Sequence, residues 1–201
     1  YNPPGLHPSE PNYLWLEAAT NFGIFNNNDP AINHLATTNH LTALLTRAGI
    51  SWKSYQEDID GTYVPLTATN LYAPKHNPMV FFDDVTGTNN RYDPFGLAHI
   101  RPYSELAQDL INGTVPRYCF ITPNLVNDGH DAVGPNFDAV RQTDDWLARE
   151  VPQITNSVII RCGCSLPWNC RCSSRPRSRS AARWSIVFTN HCRLVTISSG
   201  R

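Results

Sequence analysis

The sequence predicts an α/β sandwich with a mainly parallel sheet. Two observations carry that prediction. A helix-forming stretch followed closely by a strand-forming one recurs three times. The chain has 201 residues, 41% apolar and 16% charged, which is enough for one sizeable core.

The first helix reads from Tyr13 to Thr20, its first turn following Pro11, while Pro8 and Pro11 restrict the backbone on both sides of Ser9. Phe22 to Pro30, rich in Asn, Gly and Asp, reads as a loop. Thr38 or Asn39 then caps a second helix with Leu41, Leu44, Leu45 and Ala48 on one face, Arg47 in the last turn and Gly49 to end it. Ile50 to Tyr55 alternates apolar with polar residues and reads as a strand, in which Trp52, Lys53 and Tyr55 serve packing.

The pattern repeats. Ser104 caps Glu105 to Ile111, Gly113 stops that helix, and Arg117 to Ile121 is a β-rich strand ending at Thr122-Pro123. Asp138 to Val151 reads as a helix with Ala139, Trp146, Leu147 and Val151 inward and Asp145 to Arg149 as an exposed i,i+4 pair. Val158-Ile159-Ile160 begins the strand that should follow.

Ligands of parallel sheets gather at the carboxyl ends of the strands, where Thr122 to Asp131 would emerge. Asp128, His130 and Asp131 in that stretch can present two carboxylates and an imidazole to a cation, or form a polar turn built on Asn, Asp and Gly. His76, ahead of Asn77-Pro78, is a weaker candidate, and the adjacent pair Asp83-Asp84 suits a solvated turn.

A second cluster centres on His7-Pro8-Ser9-Glu10-Pro11-Asn12. Ser9 sits just before a helix N-terminus, where backbone N–H groups and the helix dipole favour an anionic oxygen or a phosphate; the plainer reading is an N-capping serine.

HPSEPNYLWLEAATNFGI followed by NNNDP resembles the nucleophile segment of the phosphoesterase family of bacterial and fungal phospholipases C and acid phosphatases, within the alkaline-phosphatase-like group. The likeness continues through AGISWKSYQEDI, YAPKHNPMVFFDDV, HIRPYSELAQDL and VPRYCFITPNLVNDGHD, covering about residues 6 to 155. It implies a three-layer sandwich and hydrolysis of a phosphate ester, on a phospholipid or a small phosphomonoester, through a phosphoserine. By that resemblance Ser9 is the nucleophile, and Asn27, or its neighbour Asn26, holds a phosphoryl oxygen. His130 acts beside them, and His7, Asn12 and His76 contact substrate. The same resemblance implies a divalent metal ion at Ser9, Asp128 and Asp131, and a secreted or periplasmic location.

Two departures stand out. The family carries Glu-Asn metal ligands on a strand well before the nucleophile, yet only eight residues precede Ser9 here; its late acidic pair is replaced by Arg161 to Cys170. All 17 Asp and Glu and 8 of the 16 Lys and Arg precede residue 161, whereas the other 8, all Arg, follow it. Cys119 stands alone in the body while Cys162, Cys164, Cys170, Cys172 and Cys192 crowd the tail.

The division is therefore a partial phosphoesterase domain over 1–160 and an atypical tail over 161–201. A shifted reading frame or an unspliced junction near residues 156 to 161 would account for the tail; the absence of a Trp-Asp-Glu-like strand in the other two frames of the DNA would refute that. The tail lacks the aromatic interleaving of a nucleic-acid arm, so no nucleic-acid partner is expected. No apolar run approaches the ~20 residues of a membrane span, and no signal-type stretch is visible. Loss of a strand at each end would leave bare sheet edges. The alternative to an enzyme is an inactive fragment that keeps only a phosphate cradle.

Overall fold

The computed structural model describes residues 8–133 and 137–157, together with the backbone of residues 185–189 and 194–198. Seven helices are described: α1 Ser9–Ala18, α2 Pro30–Asn33, α3 Leu41–Arg47, α4 Asp83–Thr86, α5 Pro94–His99, α6 Glu105–Asn112 and α7 Ala139–Thr155. The described strands are β1 Trp52–Gln56, β2 Ile100–Pro102, β3 Tyr118–Thr122, β4 Ser185–Thr189 and β5 Leu194–Ser198, in the spatial order β2-β1-β3-β4-β5. β1 pairs in parallel with both β2 and β3, β3 pairs in parallel with β4, and β5 closes the sheet antiparallel to β4.

Side chains alternate across the pleat, and that alternation makes the layers. Trp52 and Phe120 enter one core with Tyr13 and Leu14 of α1, Val85 of α4 and the 3₁₀ turn Pro78–Phe81. Tyr55, Cys119 and Ile121 enter the other with Leu106 and Leu110 of α6 and Trp146 and Ile154 of α7. Helices thus cover both faces, the arrangement expected of an incomplete three-layer α/β sandwich.

Several local expectations are corrected. α1 starts at Ser9, with Pro8 as N-cap and no side-chain capping bond. Pro11 is accommodated inside the first turn because its missing N–H would have had no intrahelical acceptor there. In α3 the inward residues are Thr42 and Ala43, whereas Leu44 is 54% exposed. A buried carboxylate, that of Glu17, accepts from both the backbone N–H and the hydroxyl of Thr42, and this turns the helix. Ser104 has helical dihedrals and no capping bond, while Gly49 and Gly113 take the left-handed conformation that ends their helices. In α7 the buried set is Gln142, Thr143, Trp146 and Ile154, with Leu147 and Val151 half-buried, and Arg149 reaches the Asp145 carbonyl and Glu150.

The strand expected at Val158-Ile159-Ile160 lies outside the described residues, as do His7 and the five tail cysteines. On the β3 side the expected bare edge is absent, because β4 pairs with β3 there and carries β5.

Candidate active site

Polar side chains cross-link the carboxyl ends of β1 and β3. Gln56 Nε2 donates to Ser54 Oγ and to Thr122 Oγ1, both at 2.8 Å, and Ser54 Oγ donates to Asn77 Oδ1 at 3.0 Å. Asn77 Nδ2 donates to the Tyr72 hydroxyl, which donates to the Pro65 carbonyl. These buried bonds fasten the turn Pro74–His76 over the strand ends and place His76 there.

The Asn124–Asp131 loop leaves β3 at the same end and is held from behind by α7. Gln142 Nε2 donates to the Val126 carbonyl at 2.7 Å and Thr143 Oγ1 to the Asn127 carbonyl at 2.9 Å. Asn127 Nδ2 reaches Glu57 Oε2 at 3.0 Å. Gly129 has φ +80°, and a Cβ there would lie 2.7 Å from Thr143 Oγ1, so glycine is required where the loop turns to present His130.

Between these segments lies a cleft of about 300 Å³ lined by Asn27, Asp29, Lys75, His76, Asp128, His130 and Asp131 among others. Five of its lining residues are ones that the sequence singles out, brought in from three separate stretches of chain. Asp128 is 2% exposed; its Oδ1 accepts the His130 backbone N–H at 3.0 Å and its Oδ2 lies 3.7 Å from His76 Nδ1. Burial raises its carboxyl above the usual carboxylate range. His130 Nδ1 lies 2.9 Å from Asp131 Oδ1, both side chains largely open to solvent.

Ser9 is not among the residues that line the cleft; it opens α1, which meets the cleft's lining at His76 and Asn27. Tyr13, one turn on and therefore on the same helix face, stacks on His76 with ring centroids 5.1 Å apart. Asn27 Oδ1 accepts the N–H of Glu10 in the first turn of α1 at 3.0 Å. Asn27, which lines the cleft, is thereby distinguished from Asn26, whose Oδ1 accepts from Asn28 N and Asn33 Nδ2 within the turn. Asn12 Nδ2 donates to the Pro8 carbonyl at 3.2 Å and braces the helix start.

Two groups escaped sequence reasoning. Glu10 is fully buried, with Oε1 accepting from Asn33 Nδ2 at 2.8 Å, and burial pushes its carboxyl up to about 8 against the opposing pull of that bond. Under the far end of α1, buried His40 bridges Glu17 Oε1 and Asp84 Oδ1, each at 2.9 Å. Asp83 pairs with His34, so the Asp83-Asp84 pair serves structure rather than a solvated turn. No local sequence signal marks either group, because their partners lie 23 or more residues away.

A family profile described as the phosphoesterase family matches residues 3–160. Over 134 residues the chain is 36% identical to a probable acid phosphatase of Kluyveromyces lactis, covering 62% of this chain and 30% of that protein. It is 36% identical over 163 residues to an acid phosphatase of Aspergillus fumigatus, covering 75% and 33% respectively. A phosphatidylinositol-3-phosphatase of Mycobacterium tuberculosis is 32% identical over 150 residues, covering 75% of this chain and 44% of that protein. The chain spans less than half the length of each of these relatives. With the profile covering most of the chain, the chain belongs to the phosphoesterase family.

Proposed function

We propose that the whole protein hydrolyses phosphate esters, of the acid phosphatase or phospholipase C kind, through a phosphoserine formed on Ser9. The observation that carries this reading is the cleft itself, where Asn27, Lys75, His76 and His130 come together and Asn27 is bonded to the first turn of the helix that begins with Ser9.

In this mechanism the Ser9 oxygen attacks phosphorus in line, its proton is taken up, and the leaving alkoxide receives a proton as the P–O bond breaks. The dipole of α1 favours negative charge at the Ser9 oxygen. Asn27 and Lys75 stabilise charge on the phosphoryl oxygens, with His76 facing the same space. In this reading His130, paired with Asp131, carries the proton. Water then attacks the phosphorus of the phosphoserine, the bond to the Ser9 oxygen breaks as that oxygen takes back a proton, and phosphate, or the phosphorylated head group of a phospholipid, is released.

For the whole protein the proposal extends to a divalent metal at Ser9, Asp128 and Asp131, which would lower the effective pKa of the serine hydroxyl. The described residues by themselves do not fit one: no group of three or more His, Cys, Asp or Glu among them is arranged to hold a metal, and Asp128 and Asp131 are engaged with His76 and His130. No step above therefore runs through a metal. The same observation favours a second reading, in which these 201 residues bind phosphate without turning over an ester. Metal content near one equivalent per chain by mass spectrometry would count against that second reading.

The proposed substrates are a phospholipid or a small phosphomonoester, and a secreted or periplasmic location belongs to the same proposal. Among the described residues no helix is long and apolar enough to cross a membrane. The test is Ser9→Ala in the full-length protein with a chromogenic phosphate ester. Loss of at least about 10³-fold in kcat is expected from removing a nucleophile. Wild-type turnover in that variant would end the assignment of Ser9.

A further inference from the structure

A buried carboxyl is an expensive way to fill space, because it needs a donor that an apolar residue of the same size would not. Glu10 has no exposed surface, and its carboxyl accepts from Asn33, itself only 7% exposed. Asn33 Nδ2 reaches three acceptors on two segments: Glu10 Oε1 at 2.8 Å, Asn26 Oδ1 at 2.7 Å and the Asn28 carbonyl at 3.3 Å. Asn26 and Asn28 flank Asn27 on both sides. Asn27 in turn accepts the Glu10 N–H through Oδ1. With that oxygen committed to the helix, the amide nitrogen of Asn27 is the end left to face the cleft.

We propose that Asn33, seated on the buried Glu10 carboxyl, is a positioning residue for phosphate capture: it fastens the Asn26–Asn28 turn to the first turn of α1 and so fixes the direction in which Asn27 offers its N–H groups to a phosphoryl oxygen. This rests on the phosphate-site reading above. It adds to it two residues that touch no substrate and act through Asn27. Glu10 supplies the acceptor that orients the Asn33 amide, and Asn33 supplies the donors that close the turn.

Two measurements on the 201-residue chain separate this inference from the reading beneath it. The first is amide hydrogen exchange at Glu10 N–H, which needs no ligand. Asn33→Ala, Asn26→Ala and Glu10→Ala should each speed that exchange about tenfold, the loss of roughly one hydrogen bond, whereas Glu10→Gln, which keeps the acceptor, should restore protection. Asn26 is exposed, so its variant tests the turn even if a buried substitution disturbs folding.

The second measurement is calorimetric titration with inorganic phosphate. Asn27→Ala and Asn33→Ala should each weaken binding by about five- to tenfold. The double variant should bind no more weakly than Asn27→Ala alone, since Asn33 acts through Asn27. Additive losses in the double variant, or unchanged Glu10 exchange in both Asn33→Ala and Asn26→Ala, would overturn the inference. A wild-type chain that binds no phosphate would overturn the phosphate-site reading, while exchange at Glu10 would still decide whether Asn33 and Glu10 hold Asn27.

Discussion

Replacing His40 with alanine should destabilise the fold, and should do so more at acid than at alkaline pH. The imidazole is 1% exposed, stacked on Phe82 with centroids 3.8 Å apart, and bridges Glu17 on α1 to Asp84 on α4. Removing one member of a buried ion pair commonly costs about 3–5 kcal/mol. Here two features reduce that. Thr42 still donates twice to Glu17 Oε1, and the Asp84 side chain is 31% exposed and can rehydrate. The lost stacking adds back about 0.5–1.5 kcal/mol, so a loss of about 3 kcal/mol is expected.

With a urea slope of about 1–3 kcal/mol per molar, the midpoint should fall by ~1–3 M. Burial opposes the charged imidazole, but the hydrogen bonds that it donates to Asp84 and Glu17 outweigh it and hold His40 above its ordinary 6.5. A group whose folded pKa is raised contributes stability that is complete below the unfolded value and is lost as pH rises through the folded one. The gap between wild type and His40→Ala should therefore be widest below pH 6.5 and shrink above the folded pKa. Urea melts followed by tryptophan fluorescence across that range would measure it. A loss below about 1 kcal/mol at acid pH, or a gap that does not narrow with rising pH, would refute the argument.

Two further outcomes follow from the site's supports. Gly129→Ala should cost about 1–2 kcal/mol in a thermal melt, since a non-glycine residue must take φ +80° and its Cβ would meet Thr143 Oγ1 at 2.7 Å; the same variant should weaken phosphate binding by displacing His130. Cys119 is 1% exposed and burial pushes its thiol up to about 12, so mass mapping after brief alkylation at pH 8 should find it unmodified in the native chain and modified once the chain is unfolded in urea.

Local chemistry was enough to specify the element order around the body of the sheet. The helix stops at Gly49 and Gly113 depend on a single residue's access to positive φ, and the strand at Tyr118–Thr122 on short-range β-forming composition. Those preferences act over a few residues and can be read from a few residues. Part of the cleft's lining was also legible, because Asn27, His76 and Asp128 to Asp131 lie in motifs that mark themselves in sequence.

What the sequence left open were choices settled by distant partners. Asn26 and Asn27 are alike as neighbours in a chain; Asn27 turns to the cleft because its oxygen meets an N–H 17 residues earlier. Leu44 looks like core until Glu17, 25 residues before Thr42, draws the other side of α3 inward. Glu10 and His40 carry no local mark of burial, since it is long-range hydrogen bonds that make a buried carboxyl or imidazole tolerable. The strand beside β3 comes from Ser185–Thr189, because parallel pairing tolerates a long crossover and the ladder, unlike local propensity, does not depend on how near in sequence its partner lies.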